Sequence, residues 1–579
     1  MLDLALRNAR IVDGTGRPAS FGGVGVRDGR IVSVGTVDES AARELDVDGL
    51  TVIPGILDLH AHYDAQLFWD PALSPSPLHG VTTVVAGNCG LTLAPAKPED
   101  REFLTRLLAR VESIPVEALI AGVDYRWETF PEFLDVVERS PLGPNIAFMV
   151  GHSAIRRAVM GEAASSEKAT EEQLSAMREL LSEAIAAGGL GFSTANVATQ
   201  VDGDGRPTPP NFATRDEFVR LSEVCGWHPG TCIEFIPGSF LVGFSDDDIE
   251  LMAAMSAAAN RHLNWNTPLV NKAAPDIYKR QIAATDFARD RGGWVVPMYM
   301  PQNGPTQQDF LRGYVYRALP GWGFLFAMSV DERIRALADP AVRARLVAAL
   351  EGETRGLAAT MRSSWGEYVV NDVGGGGPKA LEGRRVHDIA VERGVSDFDA
   401  VCDIAVACNL DVGFVRFSVG EGDEWSQTAR LEVLKDPRVV LGASDAGAHM
   451  DMMVGADFPT RCFAELVRER GVFTMEEMVH QFTDRLAQLY GFRHRGRIEE
   501  GYWADLVVLD PATIGAGPLR TVRDLPASAP RLKTESTGVQ TVLVAGETIV
   551  EDGKITDATP GRLLRSGRDT DTVPARQAS

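Results

Sequence analysis

Between about residues 55 and 445 the chain repeats one unit: a short apolar, β-rich run followed by helical or loop sequence. Eight such runs are predicted as strands: Gly55–Leu59, Thr82–Ala86, Ile146–Val150, Gly189–Ser193, Thr231–Phe235, Leu263–Asn266, Trp294–Tyr299 and Val439–Ala443. Strands that alternate with helices predict the α/β class and a parallel (β/α)8 barrel, because parallel neighbours need a long crossover and a helix supplies it. In such barrels the chemistry sits at the C-terminal ends of the strands. That rule reduces the chain to a short set of strand-end residues: His60, His62, Cys89, His152, Ser193, Thr194, Glu234, Asn266, Tyr299 and Asp445. The gap between the seventh and eighth strands holds "GGGGP" at Gly374–Pro378, and its excess length predicts an insertion or lid over the mouth.

Both ends of the chain read differently. Short β-rich runs split by Asp-Gly and Gly-rich turns fill the first fifty residues, and "ADLVVLDP" and "VQTVLVAGETIVEDGKI" have the same character near the other end. Neither set has enough strands to bury a core alone. Residues 1–54 and 496–560 are therefore expected to form one small β-sandwich, with 55–495 as the barrel and 561–579 as a tail. The net charge is −23, from 57 basic and 80 acidic residues. That excludes a nucleic-acid or anionic-membrane partner, which wants a basic face. The six cysteines show no CxxC or small-scaffold spacing, so they are read as reduced thiols of a cytoplasmic protein. Asp3, Arg7 and Arg10 interrupt any apolar leader, and no run of eighteen apolar residues exists to span a membrane. A small molecule is the expected partner, with homo-oligomerisation left open.

The strand-end residues carry a recognisable chemistry. In "PGILDLHAHYDAQ", His60 and His62 alternate on an extended segment, so both imidazoles share one face and are pre-oriented for a metal. Asp445, in "VVLGASDAGAH", ends the eighth strand and faces the same mouth. It suits a metal ligand and a proton acceptor, although Ser444 or Asp445 could equally cap the next turn. Cys89 in "VVAGNCGLT" is either a thiolate ligand or a small buried hydrophobe. His152, after "AFMVG", is either an active-site histidine or a capping or core one.

Beyond these residues, "VIPGILDLHAHYD", "HGVTTVVAGNCG", "MVGHSAIRRAVMG", "GGLGFSTA", "GASDAGAH" and "RGRIEEGYWADLVVLDP" resemble the amidohydrolase superfamily, and within it the D-aminoacylase (N-acyl-D-amino-acid deacylase) group. The resemblance runs from about residue 4 to 556. It implies a TIM-like barrel with a β-sandwich and metal-assisted hydrolysis of an amide, an N-acyl-D-amino acid or related N-acyl compound first. It makes His60, His62, Cys89 and Asp445 metal ligands, with Asp445 also the catalytic carboxylate and His152 or the metal stabilising the oxyanion. Deacylases also carry a histidine at the ends of strands five and six. Here Glu234 and Asn266 stand in those neighbourhoods, while His228 and His262 precede their strands. One zinc per chain is therefore expected. Glu234 is expected either to replace a ligand or to pair with Lys272 or an arginine. Arg461 and Arg156 are the candidates for a substrate carboxylate. Two other readings stand beside this one: hydrolysis of a cyclic amide or specialised metabolite, and a non-hydrolytic relative with an incomplete metal site.

Overall fold

The computed structural model describes residues 1–272, 274–301, 304–317, 319–352, 361, 364–374, 376–416 and 423–577. Every expected barrel strand forms, and parallel pairing links the strands in chain order. The first strand is Ile56–Asp58 and His60–Ala61, interrupted at Leu59; the second is Val81–Ala86. The third is Asn145–Phe148 and Val150–Gly151, interrupted at Met149. Then follow Gly191–Ala195, Cys232–Ile236, His262–Asn266 and Trp294–Tyr299. The eighth is Val440–Leu441 and Ala443–Ala446, interrupted at Gly442. Each strand pairs in parallel with the next. The eighth returns to the first through Ala443 opposite His60, and across the two interruptions Leu59 N–H donates to Gly442 O at 2.8 Å. The ring is thereby closed: a (β/α)8 barrel.

Side-chain alternation sorts the residues into layers. Leu57, Leu59, Val85, Ala147, Met149, Leu190, Cys232, Val296 and Met298 share one buried cluster with Leu489, Tyr490, Phe492 and Leu564. The helices pack outside. Glu171–Ala186 buries Leu174, Met177, Leu181, Ala184 and Ile185 at helical spacing, and Thr170 with Gln173 forms a capping box at its start.

The two ends of the chain meet in one nine-stranded sheet. Leu506–Leu509 lies antiparallel to Thr51–Pro54, joining five N-terminal strands to four C-terminal ones. Period-2 alternation gives this sheet two faces. Leu506 and Val508 join a core with Leu4, Leu6, Val52 and Leu543, whereas Val507 and Leu509 join the main core that also holds the barrel residues Ile146 and Phe192.

The segment after residue 560 departs from its reading as a tail. Ile146 N–H donates to Arg562 O at 3.0 Å and Leu564 N–H to Ile146 O at 2.7 Å. Leu563, Leu564 and Thr570 are buried. A polar average hid two leucines that the barrel wall covers.

Between the seventh and eighth strands an insertion builds a core of its own. Thr306–Gln308, Val369–Asp372 and Gly413–Arg416 form a three-stranded antiparallel sheet. Tyr316, Trp322, Trp365, Tyr368, Phe398 and Phe414 fill the space beneath its helices, with the rings of Trp322 and Trp365 stacked at 5.9 Å. Gln307 N–H donates to Met452 O at 2.7 Å, which fastens the insertion to the loop after the eighth strand. The "GGGGP" segment lies only partly within the described residues.

Candidate metal centre

His60 and His62 lie at the end of the first strand and are both fully buried. Nε2 of His60 is 3.2 Å, and Nε2 of His62 3.5 Å, from Oδ1 of Asp445. Sγ of Cys89 approaches Nε2 of His60 to 3.5 Å. The donor atoms of His60, His62 and Cys89 all fall within 4.8 Å of one another. Strands one, two and eight thus bring four of the sequence-selected residues together.

Backbone contacts fix the loop that carries Cys89. Asn88 Nδ2 donates to Ala61 O and Val85 O at 3.2 and 3.0 Å. The Cys89 N–H donates to Glu234 Oε2 at 2.9 Å, and Gly90 N–H to Ser193 Oγ at 2.7 Å. Ser193 Oγ in turn donates to the same Glu234 oxygen at 2.8 Å. Gly90 has φ +71°, and a Cβ there would stand 3.0 Å from Thr194 Cα. Cys89, Asp445 and His449 also hold positive φ values, of 56°, 55° and 47°. Three non-glycine residues in the left-handed region at one mouth is a costly arrangement, of about 1–3 kcal/mol each, and such strain concentrates at functional sites.

Charge is arranged around the two imidazoles. Burial works against protonation of His62, but the carboxylates of Glu112 and Asp445 outweigh it and push its pKa up to about 9. Burial likewise opposes ionisation of Asp445, yet the two imidazoles facing it hold its carboxyl well below the usual range. Cys89 is raised well above an ordinary thiol, by burial first and by Glu234, Glu112 and Asp445 after it. A site that stabilises a carboxylate and positive charge in this way suits a divalent cation. Among the described residues both ring nitrogens of the buried His62 lack a hydrogen-bond partner, and such orphaned imidazole, with a thiol and a carboxylate beside it, is a donor set of the zinc type.

Other sequence-selected residues lie elsewhere. Thr194 alternates with Ser193 and so faces outward from the strand ring, and Nδ1 of His152 is bonded to its Oγ1 at 2.9 Å. Nε2 of His152 meets Glu217 Oε1 at 2.9 Å. His152 is thus in the layer between the fourth strand and the helix Arg215–Gly226, with both ring nitrogens used and no exposure, and does not reach a reacting oxyanion. Arg156 is equally buried. Its guanidinium is spent on Glu217 at 2.5 and 2.6 Å and on the carbonyl of Glu167 at 2.7 Å, so it is no receptor for a substrate carboxylate. Arg461 is held by Asp457 at 2.7 Å. Lys272 is 63% exposed and pairs with Asp423, not with Glu234. Glu234 itself is buried beside the centre and anchors the Cys89 loop. Its second oxygen has no hydrogen-bond partner among the described residues. His228 bonds Ser182, and His262 packs on Trp294 and Tyr490 at the start of its strand.

Sequence reasoning missed Glu112 and His449. Glu112 ends the helix Arg101–Val111, in the connection between the second and third strands. Its Oε2 lies 3.8 Å from His62 Nε2 and 3.7 Å from His449 Nε2. No strand-end rule or spacing reaches it. The one local signal is an acidic residue at a helix C-terminus, where the helix dipole disfavours it.

The amidohydrolase family model matches residues 43–550. D-aminoacylase of Alcaligenes xylosoxydans xylosoxydans is 27% identical over 567 residues, covering 97% of both chains. An uncharacterized protein of Mycobacterium tuberculosis is 30% identical over 536 residues, 88% of this chain and 84% of that one. A crystal structure of D-aminoacylase superposes with a TM-score of 0.63 at 25% identity, over 98% of this chain and all of that one.

Proposed function

Because the chain belongs to the amidohydrolase family, we propose that His60, His62, Cys89 and Asp445 form its active centre and that it cleaves the amide bond of an N-acyl-D-amino acid. The protein is a metal-dependent amide hydrolase. The observation that carries the site assignment is the approach of one carboxylate oxygen, Asp445 Oδ1, to both imidazoles, at 3.2 and 3.5 Å. His60, His62 and Cys89 would hold the ion, zinc at one per chain. When bound, it supplies Lewis acidity and lowers the pKa of a coordinated water to roughly 7.

The proton traffic belongs to Asp445. A general base must reach water and substrate. Asp445 is 17% exposed, whereas Glu112 is 3% exposed and Glu234 is sealed. With Oδ1 turned to the imidazoles, Oδ2 is the atom that takes the proton from the attacking water and returns it to the leaving nitrogen. Glu234 and Ser193 keep the Cys89 loop in place while this happens.

The test is direct. Protein loaded with zinc is assayed for release of free amino acid from matched panels of N-acyl-D- and N-acyl-L-amino acids. Selective turnover of D-substrates is expected. Turnover of cyclic amides alone would redirect the substrate assignment while leaving the centre intact.

A further inference from the structure

The donor atoms at the mouth form a chain. Cys89 Sγ, His60 Nε2, Asp445 Oδ1, His62 Nε2 and Glu112 Oε2 follow one another at 3.5, 3.2, 3.5 and 3.8 Å. Two ligands on one tetrahedral zinc are separated by ~3.3 Å, given metal–ligand distances of about 2.0–2.3 Å. Glu112 therefore stands to His62 as Cys89 stands to His60, at the distance of a neighbouring ligand. We propose that Glu112 is itself a metal donor, binding a divalent cation through Oε2 on the His62 side of the centre.

Three independent features agree. Glu112 is 3% exposed, and among the described residues its ion-pair partners are the two histidines, with no arginine or lysine. A buried carboxylate needs a compensating positive charge. Its place at the C-terminus of the helix Arg101–Val111 adds the negative end of the helix dipole to that demand. On the opposite side, Nε2 of the buried His62 lies 3.8 Å from Glu112 Oε2 and 3.5 Å from Asp445 Oδ1, with no hydrogen bond made among the described residues. The backbone is also committed: His449 N–H donates to Glu112 O at 2.6 Å, and Glu112 N–H donates to Leu108 O at 3.0 Å. Glu112 is held at the mouth from both ends of its peptide, with the carboxylate turned inward. The inference rests on the metal reading above and is independent of which amide is cleaved.

Cobalt(II) is the probe, because its visible spectrum reports the ligand set without any substrate. Wild type, Glu112→Gln, Glu112→Asp and Cys89→Ala are stripped of metal, checked for matching far-UV circular dichroism, and titrated with cobalt. The expectation is that Glu112→Gln binds at least ~10-fold more weakly and shows altered d–d bands. It should keep the thiolate-to-cobalt charge-transfer band that Cys89→Ala loses. Glu112→Asp, which retains a carboxylate, should recover part of the affinity. Affinity and d–d bands identical to wild type in Glu112→Gln would overturn the assignment. So would weaker binding with unchanged d–d bands, because Glu112 would then only orient His62. Absence of amide turnover in the wild type would sink the substrate reading and leave the cobalt result standing.

Discussion

At the scale of single residues, the proposed mechanism separates holding a metal from moving a proton. Asp445→Asn keeps size and most hydrogen bonding but removes the proton-accepting oxygen. Turnover should fall by ~10²–10⁴, while cobalt or zinc content by mass spectrometry should fall far less than in His60→Ala. Wild-type turnover in the asparagine variant would remove Asp445 from the mechanism. The pH dependence of metal uptake follows from the same charges. In metal-free protein His62 is protonated below about 9 and the Cys89 thiol is neutral, whereas Asp445 is already ionised. Binding must displace one or two protons, so apparent affinity should rise by ~10- to 100-fold per pH unit between pH 6 and 8. Chelator competition at several pH values measures this, and a flat profile would contradict it. That His60, His62, Cys89 and Asp445 come together was legible in the sequence because each lies at or just past the end of a strand and the barrel geometry gathers strand ends. Glu112 was not, because its place depends on how far a connecting helix runs before turning back. Arg156 misled for a related reason: sequence shows a cation near a strand end but not the buried Glu217 that consumes it.

At the scale of elements, the strands were legible because eight apolar runs recur with helices between them, and their bounds shift by only a few residues. Gly189–Ser193 was expected where Gly191–Ala195 forms. Gly191 opens the observed strand where no side chain fits: it has φ +135°, and a Cβ there would lie 1.9 Å from Cys232 O on the neighbouring strand. Gly191→Ala should destabilise the protein by at least ~1–3 kcal/mol through overpacking, read as a lowered denaturation midpoint. It should also disturb activity, because Ser193 and Glu234 sit on the two strands it would push apart. The cluster of His152, Glu217 and Arg156 makes the opposite prediction. Arg156→Met leaves Glu217 buried without its cation and should cost about 3–5 kcal/mol, yet leave metal stoichiometry unchanged. Loss of metal in a folded Arg156→Met protein would show that this outer layer reaches the centre after all.

At the scale of the whole molecule, distant parts of the chain depend on one another. A truncation at residue 495 removes four strands of the nine-stranded sheet and should yield insoluble or non-cooperatively unfolding protein. A soluble, cooperative fragment would count against the joint sheet as a folding unit. The seam of the barrel carries a further consequence. There the first strand meets the eighth, Ser444 Oγ donates to Asp58 Oδ2 at 2.5 Å, and 386 positions of chain separate the two residues. During synthesis His60, His62, Cys89 and Glu112 emerge early, and Asp445 only after the whole insertion has been made. At ~5–20 residues per second the ribosome takes on the order of tens of seconds to cover that interval. For that time the nascent chain carries a thiol, two imidazoles and a carboxylate with no strand to close over them. On the proposed ligand set, an ion that bound during that interval would meet an open half-site from which it can still exchange until the last barrel strand arrives.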